Sequence, residues 1–142
     1  MRALFLAAVM ATTGGAALAQ DVPNLVGTYE IAKFEGIAAG PSSHRADGDA
    51  GAIRESDTAA ASFEITSQSG NRLTAKRVSD QSEETLLGMI AFDNEEIFFV
   101  DDDDFWVGRI MGNGVLEVCA MKSAKHDDGH ALGVKCMELV KQ

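Results

Sequence analysis

The chain contains only two cysteines, Cys119 and Cys136, and their placement constrains the fold more than any other feature. They lie at matching distances on either side of a polar loop, Lys125 to Gly129, within two segments, Val115 to Lys122 and Ala131 to Lys141, that read as strands. An antiparallel hairpin across that loop sets the cysteines directly opposite each other, within the narrow range of separations a disulfide tolerates. Such a bridge fixes the register, because a slip of one residue turns every side chain to the other face. It also requires an oxidising compartment and points to an all-β fold.

The amino terminus indicates the same compartment. Met1-Arg2 gives a short positive start, Ala3 to Ala11 an apolar run, and Ala17-Leu18-Ala19 a small-x-small cleavage signal ahead of Gln20. The apolar run is too short to span a bilayer and Gly14-Gly15 interrupts its continuation, so residues 1–19 read as a secretory signal peptide rather than an anchor helix. Residues 20–142 then form a single domain of the periplasm or the secreted space. With 22 acidic and 12 basic residues the formal net charge is −10, and cleavage would remove one more positive charge with Arg2. Nucleic acid and anionic lipid are poor partners for such a surface. A cationic partner or a metal ion matches it better, and acidity alone keeps an exported protein soluble.

Between these ends, Leu25 to Ile37, Ala60 to Thr66, Arg72 to Val78, Thr85 to Ala91, Glu96 to Val100 and Phe105 to Met111 are β-rich segments separated by turn chemistry. Phe63 and Ile65, for example, alternate with Ser62, Glu64 and Thr66. Asn113-Gly114 is the strongest hairpin signal, because both residues tolerate the positive φ of a type I′ turn. With the disulfide hairpin there are eight sequential strands joined mostly by short loops. The expected fold is an all-β, eight-stranded antiparallel up-and-down barrel, whose closure removes exposed edges and whose lumen holds side chains or one small ligand. A two-sheet β-sandwich fits the same pattern. The one long connection is Ala38 to Thr58, rich in Gly, Ser, Asp and Ala.

Gly27-Thr28-Tyr29, near the start of the first strand, resembles the Gly-x-Trp opening of lipocalins and the Gly-Thr-Trp opening of avidins, both calycin-type barrels. Phe63-x-Ile65 ahead of a Gly-Asn turn, followed by Leu73-Thr74-Ala75, is similar to the second hairpin of avidin-like chains. The resemblance implies a barrel that binds a small molecule in its lumen or blocks another protein with its loops. It also implies a long loop over the open end, here 38–58, with His44, Arg45 and Arg54 available for polar contacts. The chain departs from both families in having Tyr29 in place of tryptophan and Trp106 as its single tryptophan. The aromatic box that holds biotin in avidins is therefore not carried over.

Register supplies the expected site. With Asn113-Gly114 as the two turn residues, Met111 faces Leu116, Arg109 faces Val118 and Val107 faces Ala120, and the disulfide adds Met137 and Leu139 to that face. The opposite face carries Trp106, Gly108, Glu117, Cys119, Cys136 and Glu138. There Glu117 meets Glu138, a pairing less costly in water than inside, so the aliphatic face is expected inward. Trp106 then packs outside over the disulfide, and Arg109 points into the barrel. A buried guanidinium requires a carboxylate or an anionic ligand group, which makes Arg109 and Tyr29 the expected contacts for a small acidic ligand. An arginine that snorkels to the rim or pairs with a nearby aspartate is the plainer reading.

His126-Asp127-Asp128-Gly129-His130 is the most metal-like stretch, with His126 and His130 as candidate ligands for zinc, copper or nickel. A hairpin loop does not hold two imidazoles on one side as a helix does, and turn geometry accounts for the same residues. Asp101 to Asp104 lacks the EF-hand spacing for calcium and reads as a charged gatekeeper beside Phe98, Phe99, Phe105 and Trp106. No nucleophile elbow, phosphate loop, His-Glu-x-x-His or Cys-x-x-Cys occurs, so the expected protein is not an enzyme and calls for no cofactor. Two functions remain: binding of a small apolar or anionic ligand in the lumen, or service as an acidic inhibitor or interaction module engaging a basic secreted enzyme. Salt separates them, since lumen binding of an apolar compound persists at high salt whereas recognition of a basic enzyme weakens steeply as charges are screened.

Overall fold

The period-two alternation of the sequence becomes nine antiparallel strands in the computed structural model, which describes residues 21–40, 53–57, 59, 61–80, 82–126 and 129–142. They are β1 (Gly27–Ala39), β2 (Arg54–Ser56), β3 (Ala61–Ser69), β4 (Arg72–Ser79), β5 (Glu83–Ile90), β6 (Glu96–Val100), β7 (Asp104–Gly112), β8 (Val115–His126) and β9 (Gly129–Lys141). The expected signal peptide, residues 1–19, and His44 and Arg45 of the long connection lie outside the described residues. β3 to β9 pair in chain order, and β1 joins β3 at one side and β9 at the other, which closes the sheet into an eight-stranded antiparallel barrel. β2 is an additional short strand paired to Gly36–Ala38 of β1.

Closure is uneven. β1 runs along β9 from Tyr29↔Lys141 to Ala39↔Leu132, but it meets β3 only over Gly27–Tyr29. Beyond Tyr29 the two strands part, and the barrel is open on that side. This end, the mouth, also receives the β4–β5, β6–β7 and β8–β9 connections. The opposite end is plugged by residues 21–26: the Leu25 N–H donates to Gln68 Oε1 at 2.9 Å, and Gln68 Nε2 donates to the Pro23 carbonyl at 2.8 Å.

Below the mouth the lumen is filled. Phe63 packs at 6.4 Å from Tyr29, 5.5 Å from Phe99 and 6.1 Å from Trp106, ring centroid to centroid. Leu86, Ile90, Ile97, Leu116, Val118 and Leu139 complete a buried core. Inward positions Gly88 and Gly108 make room for it: a Cβ on Gly88 would lie 2.4 Å from the Phe99 ring, and one on Gly108 would lie 2.4 Å from the Glu117 carbonyl oxygen. The pattern of large residues opposite glycine lets eight strands close around four aromatic rings.

The disulfide hairpin has the expected register, with Cys119 opposite Cys136, Glu117 opposite Glu138 and an S–S distance of 2.08 Å. Leu116, Val118, Met137 and Leu139 face inward, also as expected. β7 is a correction. Asn113 and Gly114 form the turn at positive φ, but a bulge at Met111 shifts the ladder, so that Ile110 faces Leu116, Gly108 faces Val118 and Trp106 faces Ala120. One extra residue reverses the whole strand. Trp106 is fully buried in the lumen rather than outside over the disulfide, and Arg109 is exposed on the outer surface rather than inward.

A charged mouth as the candidate ligand site

On five strands the inward-facing series of side chains ends in a charge at the mouth. On β4, Leu73 and Ala75 are followed by Arg77; on β5, Leu86 is preceded by Glu84; on β7, Trp106 by Asp104; on β8, Ala120 is followed by Lys122; on β9, Met137 is preceded by Lys135. These groups pair between strands around the mouth. Arg77 donates to Glu84 at 2.9 Å, with both side chains less than one-fifth exposed. Lys135 donates to Asp104 Oδ2 at 2.6 Å, and the Asp104 side chain is only 4 % exposed. Lys122 pairs with Asp103.

Trp106 ties this ring to the core. Its indole Nε1–H donates to Asp101 Oδ2 at 3.2 Å, and the Lys135 ammonium sits 5.0 Å from its ring centroid, within cation–π range. Asp101 Oδ1 in turn accepts the backbone N–H groups of Asp103 and Asp104, at 3.1 and 2.6 Å, which shapes the β6–β7 turn. Carboxylate oxygens of Asp101, Asp103 and Asp104 lie within 4.8 Å of one another. Lys122 and Lys135 already neutralise two of these acids, so the cluster is a cap for the turn and the tryptophan. Asp104 Oδ1 is buried and has no hydrogen-bond partner among the described residues.

Where β1 parts from β3, a cleft of about 150 Å³ enters the mouth, lined by Ile31, Phe34, Ala59, Ala61, Arg77, Ser79, Lys135 and Met137. One wall is apolar and continuous with the core. The other presents two cations. A second, open groove of about 640 Å³ lies outside the barrel between β2 and the β1–β9 surface, with Ile37 and Val134 beside Glu35, Glu55 and Asp57.

The expected pair, Tyr29 and Arg109, is not brought together. Tyr29 is buried toward the plugged end, where its hydroxyl donates to the Leu25 carbonyl at 2.7 Å. Arg109 lies outside between Glu96 and Glu117 in a row of charges that continues through Glu138 to Lys33. Lys33 donates to Glu138 at 2.7 Å, and that bond, with the added charge of Glu117, holds the Lys33 pKa above its ordinary value. The two facing glutamates thus sit under a lysine on the solvated surface. His126 is the last residue of β8 and His130 the second of β9, with His126 paired to Gly129 and Lys125 to His130; the histidine side chains lie outside the described residues.

Arg77 and Lys135 are the functional candidates the sequence reading missed. Their signal was present: extending the alternating series of β4, β5, β7, β8 and β9 to the strand end finds a charge on the inward face, and all of these charges fall at one end of the barrel. These features define a small, closed antiparallel barrel with an external disulfide and a zwitterionic mouth. Comparison with protein-family models, with curated proteins and with solved structures finds no match.

Proposed function

We propose that this is an exported binding protein whose site is the barrel mouth, and that it takes a small acidic molecule with a short apolar part. The observation that carries the reading is the cleft in which Ile31, Phe34 and Met137 give way to Arg77 and Lys135. Charged pairs on an inward face are weak contributors to stability compared with packed apolar residues. Their concentration at the open end therefore favours a binding role. Guanidinium and ammonium carry five and three N–H donors, more than one carboxylate partner uses, so an acidic ligand group can join without breaking either pair. Asp104 Oδ1 supplies a buried acceptor nearby for a ligand hydroxyl.

The cleft is smaller than the ~300 Å³ at which sites for drug-sized ligands begin, which favours small carboxylic acids over lipids or large cofactors. The ligand first expected in the lumen thus moves to its rim, because aromatic rings occupy the space below. The disulfide is compatible with an oxidising periplasmic or extracellular location, in keeping with export. A second reading, an acidic module for a basic secreted partner, is favoured by the outer groove with its three carboxylates.

Calorimetry with short-chain carboxylates and their neutral amides tests the first reading. The variant Arg77→Gln/Glu84→Gln removes a charge pair as a unit, so that no buried charge is orphaned. The acids are expected to bind, the amides not, and the double variant to lose about tenfold or more in affinity, about 1.4 kcal/mol. Undiminished affinity in that variant overturns the assignment.

A further inference from the structure

Among the described residues, one buried side-chain oxygen lacks a hydrogen-bond partner, Asp104 Oδ1. The side chain that carries it is only 4 % exposed. A buried acceptor that bonds to nothing has given up its hydration without return, so such atoms are rare in folded proteins and call for an explanation. Asp104 is also not free to turn toward another donor. Its N–H donates to Asp101 Oδ1 at 2.6 Å, its carbonyl accepts from the Asp101 N–H at 3.2 Å, and its Oδ2 accepts from Lys135 at 2.6 Å. Backbone and carboxylate are both pinned, which leaves Oδ1 as a fixed acceptor.

Lys135 connects that atom to the cleft. Its side chain lines the cleft together with Arg77, across from Ile31 and Phe34, and its ammonium bonds the other oxygen of the same carboxylate. A ligand carboxylate held by Lys135 therefore rests beside Asp104 with one cation between them. Two carboxylates on one ammonium repel each other, and a proton donor between them relieves that repulsion. The position for such a donor is the ligand carbon next to its carboxylate; one carbon further, the donor is carried toward the apolar wall. A hydroxyl suits the position better than an ammonium. An ammonium would place a second full positive charge beside Lys135 in a site with little water, whereas a hydroxyl adds no charge and makes a strong bond to an ionised acceptor.

We infer that the mouth takes a short-chain 2-hydroxycarboxylic acid, its carboxylate on Arg77 and Lys135 and its hydroxyl donating to Asp104 Oδ1. The inference rests on the mouth as a carboxylate site and adds which carboxylate it selects. Asp104 is then the residue that sets specificity: a site built to bond a ligand hydroxyl rejects the analogue without one, because its own buried acceptor is left unpaired.

Calorimetry with butyrate, 2-hydroxybutyrate and 3-hydroxybutyrate, equal in chain length and charge, reads this selection. The wild-type chain is expected to bind 2-hydroxybutyrate about tenfold or more tighter than either of the others. In Asp104→Asn, an amide that keeps its oxygen on Lys135 turns its NH2 group toward the ligand hydroxyl, and the preference is expected to disappear. The readout is the ratio of affinities within each protein, so a general effect of the lost charge cancels. Should Asp104→Asn fail to fold, the comparison of ligands in the wild type decides by itself. Equal affinity for butyrate and 2-hydroxybutyrate overturns the inference and leaves the carboxylate site standing, whereas no binding by any of them overturns both. A preference for 3-hydroxybutyrate, or for 2-aminobutyrate over 2-hydroxybutyrate, also overturns it, as does a preference that survives in Asp104→Asn.

Discussion

Tyr29 is the only tyrosine in the chain, and its ring is 1 % exposed with the hydroxyl bonded to the Leu25 carbonyl at 2.7 Å. Burial disfavours the phenolate and pushes its pKa up to about 12. In the unfolded chain the same group titrates near its ordinary value of about 10. The folded protein therefore keeps a proton that the unfolded chain has lost, and the stability this supplies is complete below about pH 10 and disappears as pH rises through about 12. Phenolate absorbance reads one group only, and its midpoint is expected near 12 in the native protein, with roughly 2–3 kcal/mol of stability lost across the window. Tyr29→Phe should flatten that loss; an unchanged alkaline slope in the variant contradicts the assignment. Tyr29 was legible in the sequence as an inward residue, but its polar partner was not, because Leu25 reads as the first residue of the strand whereas β1 begins at Gly27 and Leu25 belongs to the segment that plugs the barrel. Arg77 and Lys135 were missed for a related reason. A charge ending an apolar alternation looks like the solvated end of a strand until closure of the sheet turns it into the rim of a cavity.

Within single strands and the disulfide hairpin, the sequence was informative. Alternation named the inward residues of β8 and β9, and the cysteine spacing gave their register to the residue. β7 failed at one point. Alternation states which residues of a strand share a face, but the relation between two strands passes through the turn, and a bulge beside a glycine-rich turn leaves no mark on the alternation. Met111, followed by Gly112 at φ 79°, absorbs one residue and so exchanges Arg109 for Trp106 on the inner face. The burial of Trp106 is strongly favoured over that of Arg109, since a large aromatic surface leaves water and a guanidinium remains in it. The disulfide lies on the outer face, so its removal leaves the core unchanged. It closes a loop with a sequence separation of 17, for which restriction of the unfolded chain contributes about 3 kcal/mol. Cys119→Ser/Cys136→Ser is expected to fold to the same β-rich spectrum and to melt about 10 °C lower. An unchanged melting temperature would contradict a stabilising restriction of the unfolded chain by the bridge.

At the scale of the whole molecule, eight strands close around aromatic rings and leave polarity to two places, the outer surface and the mouth. Closure on β9 rather than a full pairing with β3 is what makes the mouth. β1 follows β9 to Ala39, abandons β3 after Tyr29, and opens the cleft between Phe34 and Arg77. Strand number and barrel class were readable from spacing and turns, because each strand announces itself locally. The position of the opening was not, since it depends on where the first strand meets the last. The most direct measurement is the amide and indole correlation spectrum of uniformly ¹⁵N-labelled protein, in which Trp106 gives one indole Nε1–H signal. That group is in the core, bonded to Asp101 and under the Lys135 ammonium. Its signal is predicted to be protected from exchange with water and to shift on addition of a short-chain carboxylate but not of the corresponding amide. An indole proton that exchanges freely and ignores both compounds would contradict the inward tryptophan and the binding mouth together.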